Sequence, residues 1–292
     1  MSRSGFPEPE VVPFTERTPR VSAARRLMRR AERDKTGRFL AEGANALECA
    51  VALAESRSGL LHEVFVTDRA AQRLARLLAR AEELGARISP VTESAAAALS
   101  ETVTPQGVVA LCELLDRSLA QALAGTPKLV AVLVGIADPG NAGTVLRVAD
   151  AAGADAVLFA GDSVDPYNGK SVRASAGSLF HLPIARSHVS ADVLAACTAA
   201  GLRLVAADAH AQRDLDDATD TGLLAEPTAW LFGSEAHGLD PATADAAELA
   251  LRVPIYGAAE SLNLGTAAAV CLYASARAQR AGMRARREEP IA

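Results

Sequence analysis

The chain has 292 residues, more than a typical single compact domain, and reads as two domains. Half of it is hydrophobic but only 4% is aromatic, so the cores are built from Ala, Val and Leu, and the net charge of −5 gives no overall attraction to nucleic acid. Cys49, Cys112, Cys197 and Cys271 are scattered, with no C-x-x-C pair, which excludes a disulfide framework and a zinc site and fits reduced thiols in the cytoplasm. No apolar run is long enough to span a bilayer, and the start of the chain lacks the apolar core of a signal peptide.

Residues 1–17 carry three prolines and little periodicity, which predicts a flexible tail. A basic helix is expected over 21–33. Residues 1–40 hold ten Arg or Lys against five acids, and a second basic run, "RAQRAGMRARR", closes the chain. Arg25, Arg26 and Arg29 are therefore candidate phosphate contacts, against the plainer reading of a solvated helix face. "GRFLAEG" reads as a strand and turn, "NALECAVALAES" as a helix, "LHEVFVTD" as a strand and "AAQRLARLLARAEELG" as one amphipathic helix ended by Gly85. "ARISPV", "TESAAAALS" and "GVVALCEL" continue as strand, helix, strand. This first α/β domain spans residues 18–115, and 116–127 reads as a linker.

A second α/β series occupies 128–292. "KLVAVLVGI" is a continuous apolar strand. Asn141 is placed to cap the helix "NAGTVLRVADAAG", which Gly153 ends. Strand "ADAVLFAG", a short helix in "GKSVRASAGS", helix "ADVLAACTAAG" and strands "LRLVAADA", "TAWLFG" and "LALRVPI" follow. A last helix runs from Ser261 to Arg280.

Three of these strands end in loops that carry chemistry. Arg147 falls off the apolar stripe Val145, Leu146, Val148 and Ala149, so it points to solvent or to the strand ends. Gly140, Gly143 and Gly153 are wrongly spaced for a dinucleotide fingerprint, and no acidic ribose-binding residue follows, which counts against a nicotinamide oxidoreductase. Glu235 at the end of "WLFG" is a candidate base or hydroxyl acceptor, the plain alternative being a solvated acid in a turn. His237 has no second His or Cys nearby in sequence and reads as a bystander, so no metal is expected. Ser261 and Asn263 precede the final helix, where either can satisfy free backbone N–H groups. In open α/β sheets such strand-end loops share one pocket.

"DPGNAGTVLRVADAAG", "LFGSEAHGLD" and "VPIYGAAESLNLGTAAAV" resemble, in order, the three motifs of the SpoU/TrmH family of S-adenosylmethionine-dependent RNA 2′-O-ribose methyltransferases. "SVRASAGSLFHLPI" resembles the segment between the first two. "GRFLAEG" and "TPQGVVAL" are similar to the ribosomal-protein-L30e-like substrate-binding domain of some members. The resemblance implies an α/β-knot, an exception to the rule against threaded chains, together with a homodimer, a structured RNA substrate and S-adenosylmethionine. It assigns Asn141, Arg147, Glu235, Ser261 and Asn263 to catalysis. Gly233, Val253 and Leu262 match cofactor-lining positions, Arg173 and Ser175 match positions assigned to RNA contact, and Gly265 stands where a serine is frequent. The appended domain favours ribosomal RNA, most of all 23S rRNA, over transfer RNA. A non-catalytic RNA-binding protein would have no reason to keep all five catalytic matches.

Overall fold

The computed structural model describes residues 12–288, and side chains from residue 12 to 281. The chain divides into two compact units between Leu114 and Leu115.

The first unit contains α1 (Pro19–Arg26), α2 (Arg30–Thr36), β1 (Arg38–Glu42), α3 (Ala44–Ala54), β2 (Leu61–Val66), α4 (Asp68–Arg73), α5 (Ala75–Glu83), β3 (Arg87–Pro90), α6 (Glu93–Ala98) and β4 (Val108–Glu113). Its sheet has the order β1-β4-β2-β3, with β4 antiparallel to both neighbours and β2 parallel to β3. The basic helix expected over 21–33 is two helices. Arg33 causes the break: its side chain is buried and donates to Leu27 O at 2.7 Å and Met28 O at 2.9 Å. Carbonyls left open at the end of α1 are thereby satisfied. The amphipathic stretch 70–85 is likewise divided, into α4 and α5.

The expected tail, 1–17, lies outside the described residues as far as residue 11. From there on it is docked: Phe14 N donates to Pro90 O at 2.8 Å, Thr92 N donates to Phe14 O at 2.9 Å, and the Phe14 side chain packs on the cluster around Val21, Phe65 and Val91.

The second unit contains α7 (Leu119–Ala122), β5 (Leu129–Val134), α8 (Pro139–Ala152), β6 (Ala156–Ala160), α9 (Gly169–Ala174), β7 (Ile184–Ser187), α10 (Ser190–Ala199), β8 (Arg203–Ala207), β9 (Arg213–Asp214), α11 (Leu215–Asp220), β10 (Thr228–Phe232), α12 (Pro241–Ala246), β11 (Leu249–Arg252) and α13 (Leu264–Glu288). Its sheet is parallel in every pairing, with the order β7-β6-β5-β10-β8-β11-β9. Every residue of β5, β6 and β10 is buried, as a parallel sheet covered on both faces requires. Val130, Val132, Leu158, Ala229 and Leu231 pack with α10 residues on one face. On the other, the Trp230 and Phe232 rings stack with centroids 6.2 Å apart, and Trp230 Nε1 donates to Ser275 Oγ of α13 at 2.9 Å.

Segment 116–127, expected as a helical or loose linker, is helical in part and falls within this unit. It forms α7 behind a capping box of Ser118 and Gln121, and Asp116 is held on β7. The Arg186 guanidinium pairs with the Asp116 carboxylate and lies 5.3 Å from the Tyr167 ring, while Tyr167 Oη donates to Asp116 at 3.1 Å. Burial, with the Asp116 charge beside it, pushes the Tyr167 phenol well above its ordinary range, so it stays a donor at neutral pH.

The strand order decides where a site can form. From β5 the chain steps to β6 and β7 on one side, returns to β8 on the other, and later fills the gap with β10. The direction of winding therefore reverses at β5 and β10, and the loops leaving their carboxyl ends face a common crevice.

Candidate active site

The loop after β5 turns directly into α8. Asp138 caps this helix, accepting Asn141 N at 2.8 Å, and Pro139 occupies the first turn. This corrects the expectation for Asn141: an Asp-Pro pair is itself a helix-start signal, since Pro needs no N–H partner there. Freed from capping, the Asn141 side chain sits inside the first turn and reaches elsewhere.

It reaches the other two motifs. Asn141 Nδ2 donates to Glu235 Oε1 at 2.8 Å, and Asn263 Nδ2 donates to Asn141 Oδ1 at 3.0 Å. Asn263 Oδ1 in turn accepts Gly265 N at 2.9 Å and Thr266 N at 3.4 Å, capping α13, which starts after Asn263 rather than at Ser261. The chain of bonds has one direction. An ionised carboxylate only accepts, so Asn141 must present its NH₂ to Glu235 and its oxygen to Asn263. The backbone N–H groups of α13 only donate, which fixes the Asn263 amide as well.

Glu235 is aimed by its turn. Ser234 and Gly238 exchange backbone hydrogen bonds of 2.9 and 2.8 Å, and Gly238 adopts φ +67°. The turn folds so tightly that a Cβ on Gly233 would lie 2.2 Å from Gly238 C. Glycine at 233 is thus demanded by the loop's own closure.

The other matched residues are placed differently. Arg147 is exposed and makes no hydrogen bond or ion pair with the described residues. It lies one turn beyond Thr144 and one turn before Ala151 on the same side of α8. Ser261 is exposed and not joined to the Asn141 chain, while Val253 and Leu262 are half-buried. Arg173 is half-buried in the last turn of α9. Ser175 is corrected: it is fully buried and its hydroxyl donates to Val172 O at 2.7 Å, so it is not presented to RNA. Among the described residues no cluster of His, Cys, Asp and Glu fits a metal ion.

Lys170 and Asp138 escaped the sequence reading. Lys170 Nζ lies 2.6 Å from Asp138 Oδ2, and the Asn141 N–H adds to it, so the Asp138 carboxyl is held below its ordinary range. A depressed folded-state pKa gives stability that is complete above the unfolded value and is lost as pH falls through the folded one. Asp138→Asn keeps a capping side chain but no ion pair. Its melting temperature is expected to match the parent's more closely as pH drops below about 4; an unchanged gap would remove the pair's role.

Arg25, Arg26 and Arg29 are exposed on α1 and just after it. Reversing all three charges is expected to weaken RNA binding and to lower the slope of log affinity against log salt by about 3, one per phosphate contact. An unchanged slope in filter binding would move the RNA contact elsewhere.

Residues 128–273 match the model of the SpoU rRNA Methylase family. The chain belongs to that family. Residues 18–110 match the MRM3-like substrate binding domain, which stands where an L30e-like domain was expected. The chain is 34% identical to the 23S rRNA (guanosine(2553)-2′-O)-methyltransferase RlmP of Bacillus subtilis, over 87% of this chain and 94% of that one. It is 32% identical to the 23S rRNA (guanosine-2′-O-)-methyltransferase RlmB of Bordetella pertussis, over 76% and 91%. The crystal structure of an AdoMet-bound rRNA methyltransferase from Sinorhizobium meliloti superimposes with a TM-score of 0.75 at 29% identity, covering 89% of this chain and 95% of that one. Asn141, Glu235 and Asn263, which hydrogen bonds bring together, all lie within the matched residues.

Proposed function

We propose that the protein transfers a methyl group from S-adenosylmethionine to a ribose 2′-hydroxyl of 23S rRNA. The observation that carries this is the hydrogen-bonded union of Asn141, Glu235 and Asn263, from the segments that follow β5, β10 and β11. Names of relatives point to 23S rRNA as substrate, and the exposed arginines of α1 suit a phosphate-rich partner.

The loop residues suit the cofactor. Among the described residues, the loop backbone between β11 and α13 makes no hydrogen bond to other loops or caps, which suits contact with a purine or an amino-acid moiety. Gly233, Val253 and Leu262 would hold it mainly through such groups. S-adenosylmethionine supplies the activated methyl on its sulfonium. The protein must then orient the 2′-hydroxyl and favour its loss of a proton. Arginine stays protonated, so Arg147 acts by stabilising the developing alkoxide rather than as a literal base. Asn141 and Asn263 hold the first turns of α8 and α13 together, which fixes Arg147 and Ser261 against the substrate. No metal takes part in this reading. Arg173 is retained as an RNA contact.

We read the active form as a cytoplasmic homodimer. Val270 and Tyr273 leave 39% and 49% of their surface exposed on α13, an apolar face suited to a second copy. The trefoil knot implied by the family resemblance is part of the same reading for the second unit.

Labelled S-adenosylmethionine, incubated separately with unmodified 23S rRNA, 16S rRNA and bulk tRNA, tests the function. One 2′-O-methylated nucleotide in 23S rRNA is expected, mapped by nuclease digestion and mass spectrometry. A tRNA product would change the substrate, and no transfer with no cofactor binding would leave an RNA-binding protein. Light scattering on the same preparation tests the dimer.

A further inference from the structure

Gly265, near the start of α13, is packed too closely to take a side chain. A Cβ built there would lie 2.6 Å from Thr144 Cγ2, 3.1 Å from Thr144 Cβ and 3.3 Å from Asn263 Oδ1. Thr144 cannot turn its methyl away freely. Its hydroxyl donates to Gly140 O at 2.8 Å, which selects one staggered χ1 and directs Cγ2 at α13. Gly265 also donates its N–H to Asn263 Oδ1, so a side chain there would press on Thr144 and on the amide that closes the bond chain to Asn141. The two helices also meet further along, where Tyr273 Oη donates to Ala151 O at 3.3 Å. The closeness of approach at Thr144 therefore bears on the Asn263–Asn141 bond and on the stretch of α8 that carries Arg147 one turn further on.

We propose that Thr144 and Gly265 are a matched pair of positioning residues for methyl transfer: the hydroxyl of Thr144 fixes its methyl, and the missing side chain of Gly265 lets α13 close onto that methyl. The pair acts through Asn141, Asn263 and Arg147, so this inference rests on their proposed roles. Helix propensity alone would favour alanine at 265, so a loss on substitution has to come from the contact.

Gly265→Ala is expected to lower kcat about tenfold, because small misplacements of reacting groups carry large rate effects. KM for 23S rRNA and Kd for S-adenosylmethionine should change less than about twofold, the pattern of an interaction that matters in the transition state. Thr144→Ser removes the methyl at 2.6 Å and keeps the hydroxyl bond, leaving a tight but adjustable 3.1 Å contact. The double variant Thr144→Ser/Gly265→Ala should therefore regain kcat to within about threefold of the parent, a strong coupling between neighbours. A purely structural contact would lower the melting temperature without such recovery. Wild-type kcat in Gly265→Ala, or a folded double variant no faster than the folded single one, overturns the proposal. Should Gly265→Ala not fold, Thr144→Val, which loses the hydroxyl bond, must be slower than Thr144→Ser; the reverse order overturns it equally. Asn141→Ala separates the two levels. If it leaves turnover intact, the bond-chain reading fails and this inference with it. If it is slow while Gly265→Ala is fast, only the pair's role is lost.

Discussion

Arg147→Ala is expected to lower kcat by about 10²–10³ while S-adenosylmethionine still binds, the loss typical of one donor aimed at developing negative charge. The side chain is exposed and joined to none of the described residues, so its removal costs the fold little. Its guanidinium is thus free to meet substrate, in contrast to Arg33 and Arg186, which are occupied inside the fold. Arg147→Lys keeps a positive charge but loses the planar fork, so partial activity is expected. Calorimetric binding of S-adenosylmethionine should match the parent in both variants. Turnover of Arg147→Ala within about threefold of the parent would remove Arg147 from the reaction.

How much of this was legible in the sequence follows from how local each feature is. Strands β5, β6 and β10 announced themselves as continuous apolar runs because both faces of a parallel sheet are covered. The two-residue β9 carries too few residues for any period to register. The basic helix broke because Arg33, which composition assigns to solvent, turned inward to meet carbonyls. The active-site bonds are harder still. Asn141 meets Glu235 across 94 residues and Asn263 across 122, and no periodicity links such distances. Family resemblance selected these residues; only the fold shows that they touch and in which direction their amides point. Ser175 marks the limit of that transfer: its match in sequence is good, yet burial removes it from RNA.

Trp230→Ala is expected to bring the largest loss of stability. Trp230 is the chain's sole tryptophan and is fully buried on β10, stacked on Phe232, in a chain of which only 4% is aromatic. Removing it forfeits the transfer energy of the ring and leaves a cavity that small, branched neighbours cannot fill, about 3–5 kcal/mol in all. Its indole N–H also ties β10 to Ser275 of α13, and Ser275 is itself buried. Trp230→Phe retains most of the packing but orphans the Ser275 hydroxyl, at about 1–3 kcal/mol. Adding Ser275→Ala to Trp230→Phe should recover part of that loss, since both polar partners are then gone. Circular dichroism during urea unfolding of the full chain reads all three, because the variants lack the tryptophan signal. Equal stability of Trp230→Phe and the double variant would show that the Ser275 bond contributes nothing. α13 starts at Leu264, just after the Asn263 cap, and is gripped eleven residues later at Ser275. The same helix therefore joins the sheet's core to the active-site bonds, and loosening it at Trp230 is expected to lower kcat in the folded protein as well.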